Sequence, residues 1–478
     1  MATPGADRRA PSHLAGRKTD AQGRTRVDWK LVLALAGPFM ANSAVQAVLN
    51  LTDTWFIGRI STQALAAIAS IHWIVLVCIM LLGGVGLAVQ TIVAQAYGGR
   101  RRLRAAQATW TALWAAAMTS PLFIAIAYGG TPLLSLFDLD PTISALAVEY
   151  WIPRLAGASL GVALWAVLGF FNGIARPQVT LFVNLGVAVL NALLNQLFIV
   201  ELQMGIAGSA WATTAALGCG VVVSLCLFLG PRIHREFKSR FTWHLHPRRL
   251  LDQLALGFPM GVLIAADLIG FALFQLMEVR LSPVDGAATQ IAMMLTSIAY
   301  MPAVGIAMTG TTLVGQAIGA DDREWARRIG NFIIALCTGY MALVGLLIAA
   351  CGPWLVPTFV PSNDPLAAEV VRTGTAILWI AAAYQLFDGL NFGSSFCLRG
   401  AGDALVPAAM VLALSWLIFV PLAHMLTFSP GQGWVDWLPQ FGLGAIGGWI
   451  AAVLYITALG LAMYLRWHSG AWRNITVH

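Results

Sequence analysis

Charge is scarce in this sequence. Asp, Glu, Lys and Arg make up 10% of its 478 residues, where a soluble protein carries about 25%. That shortage excludes an ordinary water-soluble domain. Cysteine is sparse too. Cys78, Cys219, Cys226, Cys337, Cys351 and Cys397 all fall in or beside apolar runs. They show no metal-ligand spacing and no loop framework, so they read as small core residues. There is no HExxH and no P-loop, so zinc-hydrolase and nucleotide-driven chemistry has no sequence support. The first 30 residues have no apolar core, so no cleaved signal peptide is expected, and Asp7, Asp20 and Asp28 interrupt any transit-peptide pattern.

What is present is apolar length. The chain is 59% hydrophobic, with a mean hydropathy of +0.76, and many runs reach the roughly 20 residues that cross a bilayer. Twelve spans are expected, at about 31–51, 64–96, 103–128, 144–171, 178–199, 206–230, 250–281, 287–317, 325–351, 366–398, 404–427 and 441–466. Of 28 Lys and Arg, 24 fall on one side of this plan; the exceptions are Arg59, Arg154, Arg280 and Arg372. The positive-inside rule then places both termini in the cytoplasm. Because the basic segments sit beside spans, they mark topology and not a nucleic-acid partner.

The chain contains itself twice. VAQAYGGRRRLRAA (93–106) matches VGQAIGADDREWAR (314–327) at an offset of 221, pairing Gln95 with Gln316 and Gly98 with Gly319. Pro38 falls on Pro259 at the same offset, and NGIAR (172–176) pairs with RGAGD (399–403) at an offset looser by six. These matches predict an all-α polytopic membrane protein built from two pseudo-symmetric six-helix bundles. The expected divisions are a cytoplasmic basic tail at 1–30, an N-terminal lobe at 31–230 and a basic linker at 231–249. A C-terminal lobe at 250–466 and a cytoplasmic tail at 467–478 follow. The linker reads equally as a solvated connection or as an amphipathic helix turning Phe237, Phe241, Trp243 and Leu245 to lipid. Parallel repeats with a polar site between them are a transporter design, in which rocking of the halves gives alternating access.

Two carboxylates lie inside apolar runs: Asp267 within GFPMGVLIAADLIGFALFQLM and Asp388 within AILWIAAAYQLFDGLNFGSSF. A charged Asp at mid-bilayer costs roughly 2.5–3.5 kcal/mol on insertion scales. Binding or moving a cation explains that cost; a buried acceptor joining two helices is the structural alternative. Tyr384 and Asp388 are four apart and share a helix face, so the phenol can donate to the carboxylate. The remaining oxygen can then ligate a hard cation such as Na+, or Asp388 can carry a proton instead.

Four motifs, in order, resemble the multidrug and toxic compound extrusion family, close to its NorM-like branch. They are LTDTWFIGRISTQALAAIA (51–69), the pair VAQAYGG and LVGQAIGA, LNALLNQLFI with GIAGSAWATT, and AAYQLFDG with LRGAGD. The resemblance implies a bacterial inner-membrane antiporter, without cofactor, that moves organic cations and other drugs outward against inward Na+ or H+. By motif, Asp388 with Tyr384 falls on the family's span-ten acid, and Asp267 falls where many members carry an acid in span seven. Asp53 matches the Asp-Thr ending span one, and Asn191 and Asn195 match the span-five asparagines. The additional span-five Asp of the proton-coupled branch is absent.

Other polar residues have two readings each. Asp53 is a site residue, a helix-end cap or a partner of Arg59. Asn191 and Asn195 share a face and serve either a site or helix bridging. Gln46, at the repeat position of Asp267, is a candidate polar group of the N-terminal lobe. Glu278 with Arg280, Glu369 with Arg372, and Glu149 with Arg154 read as interfacial or paired charges. His72 and His424 are proton relays or packing residues. Gly157/Gly161, Gly169/Gly173 and Gly444/Gly448 have GxxxG spacing. The leading reading is a monomeric cation-coupled exporter of amphipathic cations. A lipid-linked oligosaccharide flippase is the alternative, although its anionic cargo should want Lys or Arg in the cavity. A multispanning enzyme would need a clustered nucleophile or metal set.

Overall fold

The computed structural model describes residues 16–19, 25–132, 141–360 and 365–475. Much of the expected basic tail, including Arg8, Arg9 and Arg24, lies outside them. With no water in hydrocarbon, each crossing segment must satisfy its backbone within itself, and these apolar runs do so as helices. The crossings are span one Trp29–Gly58, span two Thr62–Gly98, span three Arg102–Gly129, span five Pro177–Glu201 and span six Gly205–Phe228. Spans seven to twelve are Pro247–Leu281, Pro283–Gly319, Arg323–Leu355, Ala367–Ala401, Leu405–Thr427 and Gly444–His468.

Span four differs from the expected single helix. It is a pair, Pro141–Ala156 and Ala158–Gly173, bent by 40°. Pro153 lies inside the first helix, where it has no N–H to donate back to Glu149. Beside the bend the Thr214 hydroxyl donates to the Pro153 carbonyl at 3.2 Å. A Cβ on Gly157 would collide with Thr214, so the break and span six fit only with glycine there. Spans five and eleven each carry a π-helical turn, Gln196–Glu201 and Ser415–Phe419, at corresponding places in the two halves.

The repeat is visible in the backbone. Arg100 and Asp321 both adopt positive φ, at 58° and 59°, and so do Ala175 and Gly402, at 58° and 89°. Each turn closes with the same bond of a left-handed helix cap. Arg101 N–H donates to Ala96 O, Asp322 to Ala317, Arg176 to Phe171 and Asp403 to Leu398, at 2.7–3.0 Å.

The same motifs clasp the lobes together. Gln95 of span two donates to Gly400 O at 2.9 Å, and Gln316 of span eight donates to Gly173 O at 2.9 Å. A Cβ on Gly98 would strike the Gln316 carbonyl, and one on Gly319 would strike that of Gln95. The residues matched in sequence therefore form reciprocal contacts about a pseudo-two-fold. Gln90 adds bonds to Met308 O at 3.1 Å and Thr312 Oγ1 at 3.0 Å. Farther along, Gly84 of span two lies against the backbone of Gly257 and Gly261 of span seven, while Gly305 of span eight lies against Met40 of span one.

The linker corrects one expectation. Its helix covers only Pro231–Phe237 and ends at Lys238 with φ 56°. Phe237 does not face lipid: it is fully buried, at 5.0 Å from Phe170 and stacked on Tyr97 at 6.2 Å. The following chain is pinned to span three, where the indoles of Trp110 and Trp114 donate to Ser239 O and Trp243 O at 2.7 and 2.8 Å. Phe241, Trp243 and Leu245 are exposed. Part of the N-terminal tail is also docked. A two-stranded hairpin, β1 Arg17–Thr19 and β2 Thr25–Val27, brings Arg17 to Asp322 at 2.8 Å.

Candidate functional site

Asp388 is buried at 5% exposure and Asp267 is half-buried. Each carboxylate lies within electrostatic range of the other, and Tyr300, Tyr384 and Tyr455 lie within range of both. The Tyr455 hydroxyl of span twelve donates to Asp267 Oδ1 at 3.1 Å, and Asn391 Nδ2 donates to Asp388 Oδ1 at 3.4 Å. Spans seven, ten and twelve thus turn these acids toward one interior. Among the described residues the ion pairs are Arg17–Asp322, Arg102–Glu236, Arg323–Asp321, Arg328–Glu324 and Arg466–Asp403. Asp267 and Asp388 take part in none of them.

Tyr384 does not make the hydrogen bond that its spacing allowed. Asn391, three residues after Asp388, donates instead. The Tyr384 ring packs edge-on against Phe271 at 6.2 Å and Trp449 at 6.4 Å. It shapes the aromatic wall beside the acids, while Tyr455 is held by stacking on Phe419 at 4.8 Å. Carboxylate, phenol and amide oxygens are hard ligands suited to an alkali cation, and the flat rings offer faces to an organic cation.

A second polar cluster lies in the N-terminal lobe. Asn195 Nδ2 donates to Asp53 Oδ1 at 2.7 Å and to Asn191 Oδ1 at 3.0 Å. Asn191 Nδ2 donates to Thr213 Oγ1 at 3.2 Å, and Thr213 Oγ1 lies 3.2 Å from Asp53 Oδ2. Asp53 is therefore neither a helix-end cap nor a partner of Arg59. Span one continues to Gly58, and Arg59 lies over the Trp55 ring at 4.3 Å. Gln46 is exposed and belongs to no such cluster; Asn42, one turn earlier, accepts from Asn184 at 2.6 Å.

The remaining expectations divide. None of Glu278–Arg280, Glu369–Arg372 and Glu149–Arg154 is an ion pair among the described residues. Arg280 lies over Trp434 at 5.9 Å, and Glu278 is fully buried. His72 is exposed, against Trp73. His424 is buried and accepts at Nε2 from the Trp434 and Val435 N–H groups at 2.9 and 3.2 Å. The sequence reading missed Tyr455, Asn391 and Thr213. Asn391 and Thr213 had signals, a three-residue helical spacing from Asp388 and a place in the quoted GIAGSAWATT motif. Tyr455 had none.

The sequence model of the MatE family matches residues 38–197 and 259–425, both halves of the repeat. This chain belongs to the MatE family. It is a transporter and not an enzyme. A relative from Pseudomonas aeruginosa, named probable multidrug resistance protein NorM, is 30% identical over 460 residues, covering 93% of this chain and 90% of that protein. One of the same name from Rhizobium meliloti is 28% identical over 451 residues, covering 91% of each. Among solved structures, MATE in the straight conformation superposes with a TM-score of 0.78 at 19% identity, covering 92% of this chain and 95% of that one. The outward-facing conformation of a multidrug resistance MATE family transporter gives 0.77 at 19% identity, covering 92% and 94%. These structures share the MatE fold of two six-helix bundles.

Proposed function

We propose that this protein is a multidrug exporter of a bacterial inner membrane, with both termini cytoplasmic. It exchanges amphipathic organic cations for inward-moving Na+ or H+. The reading rests chiefly on two interior carboxylates, Asp267 and Asp388, in one aromatic-walled site of the C-terminal lobe with no Lys or Arg paired to them. The coupling ion binds at Asp267 and Asp388, with Tyr455, Asn391 and Tyr384 beside them. Asp53, Asn191, Asn195 and Thr213 form a polar station in the N-terminal lobe. Both lobes and the clasp between them come from one chain, so the working unit is a monomer.

Cation and drug use the same charge. With the acids loaded by cation, affinity for a positively charged drug falls; with the acids free, it rises. Coupling requires this difference in affinity between states. The flippase alternative is not favoured, because the neighbouring carboxylates Asp267 and Asp388 would repel an anionic pyrophosphate. The test is efflux of a cationic dye from proteoliposomes, with Na+ and pH gradients imposed separately. One gradient should drive uphill dye movement. Dye movement indifferent to both gradients would overturn the exchange reading.

A further inference from the structure

Glu278 is unlike the other acids near the membrane ends. It lies three residues before Leu281, the end of span seven, is fully buried, and has no ion pair among the described residues. One oxygen, Oε2, accepts from the Thr289 hydroxyl of span eight at 3.3 Å. Thr289 in turn accepts from the Trp449 indole of span twelve at 3.2 Å. The direction of this chain is fixed, because an indole N–H can only donate. Thr289 therefore spends its single hydrogen on Glu278.

The other oxygen, Oε1, is buried and meets no donor in good hydrogen-bond geometry among the described residues; the Thr427 hydroxyl of span eleven, equally buried, is the polar group beside the carboxyl. The rest of the surround is apolar and tight. A Cβ on Gly448 would fall on Oε1 and lie 2.8 Å from both Phe274 and Thr427 Oγ1. Gly448, one of the GxxxG glycines, thus makes room for a carboxyl group, not only for a neighbouring helix.

The charged and titratable groups nearby are otherwise engaged. Arg280 lies over Trp434. Asp285 of span eight is held by Ser282, with bonds of 2.7 and 3.0 Å. His424 of span eleven accepts two backbone N–H groups at Nε2, which leaves that nitrogen unprotonated. Asp436 in the loop before span twelve is exposed. In span twelve, Gly448 and Trp449 face the site, and the first titratable side chain is Tyr455. Among the described residues no cation is left to neutralise Glu278, and a bare carboxylate buried without one is strongly unfavourable.

We infer that Glu278 is a proton-binding site of the C-terminal lobe, separate from the Asp267–Asp388 pair. The proton sits on Oε1 and is donated to Thr427 Oγ1, while Oε2 accepts from Thr289. Protonated, the carboxyl needs no counter-cation, and through Thr289, Thr427 and Trp449 it ties spans seven, eight, eleven and twelve together. A metal ion would need several further oxygens around Oε1, where Phe274 and the Gly448 backbone stand instead. When these helix ends part and water enters, the proton leaves to solvent and Glu278 becomes charged. Trp449 links the two sites, since its indole donates to Thr289 while its ring packs on Tyr384.

The site is independent of the exchange reading, and the test separates them. Infrared spectra of the full chain in lipid at neutral pH should contain a protonated-carboxyl C=O band that shifts in D2O. Glu278→Gln, which keeps shape and neutrality, should remove that band with the melting temperature retained. Asp267→Asn and Asp388→Asn should leave it in place. A spectrum unchanged by Glu278→Gln overturns the inference, and so does a band bleached by Na+ at fixed pH. If Glu278→Gln does not fold, Thr427→Val should shift the band by removing the acceptor; an unmoved band overturns the inference equally.

Discussion

Removing the clasp between the lobes should open the arginine-rich end of the carrier. In the structure Gln95 and Gln316 each donate one bond across the interface, to Gly400 O and Gly173 O. The double variant Gln95→Ala, Gln316→Ala deletes both and leaves the helices' own backbone bonds intact. Each bond contributes about 0.5–1.5 kcal/mol net, so the pair contributes about 1–3 kcal/mol. That corresponds to a shift of about 5- to 150-fold in the ratio of conformers. The freed carbonyls hydrate in the opened state, so no orphaned group cancels the effect. The readout is a pulsed-EPR distance between spin labels at Leu103 and Glu324, both exposed near this interface, in a background without the six native cysteines. The wild type should give mainly the short distance and the double variant mainly the long one. An unchanged distance distribution in a folded double variant would refute the assignment of these glutamines as the clasp.

Three further outcomes follow from the acidic pair and the glycine contact. Asp388→Asn should abolish gradient-driven efflux in proteoliposomes without loss of fold, because Asn keeps an acceptor but cannot ionise; normal coupled transport would mark the charge as structural. Saturating the coupling cation should weaken equilibrium binding of ethidium about tenfold, equal to about 1.4 kcal/mol, and the effect should shrink in Asp388→Asn; dye affinity blind to both Na+ and pH would contradict shared use of the acids. Gly98→Ala should populate the opened conformer in the same spin-label assay, since its Cβ meets the Gln316 carbonyl; a closed population equal to wild type would show that the contact yields.

Much of the architecture was legible because a bilayer imposes simple rules. A crossing helix needs about 20 apolar residues, so spans could be counted from composition. The bend in span four was not legible, since at Gly157 it is packed against Thr214 of another helix, which also bonds the Pro153 carbonyl. The repeat was legible because its matched residues, Gln95 with Gln316 and Gly98 with Gly319, perform the same contact twice. Phe237 was misplaced because its pocket is made by Tyr97 and Phe170, far away in sequence.

By itself the sequence determined which residues are costly in a membrane, and so which acids needed an explanation. Asp53, Asp267 and Asp388 stood out on that ground. It did not determine their partners. A helix records faces at spacings of three and four, which revealed the Tyr384–Asp388 alignment but not which group donates. Tertiary packing decided that Tyr455 holds Asp267 and that Asn195 holds Asp53. It also moved Glu278 from an expected surface pair into a closed pocket between four helices. The reason is physical: hydrogen-bond partners across helices are chosen by the rotation and depth at which whole helices pack, and no local spacing in the chain encodes either.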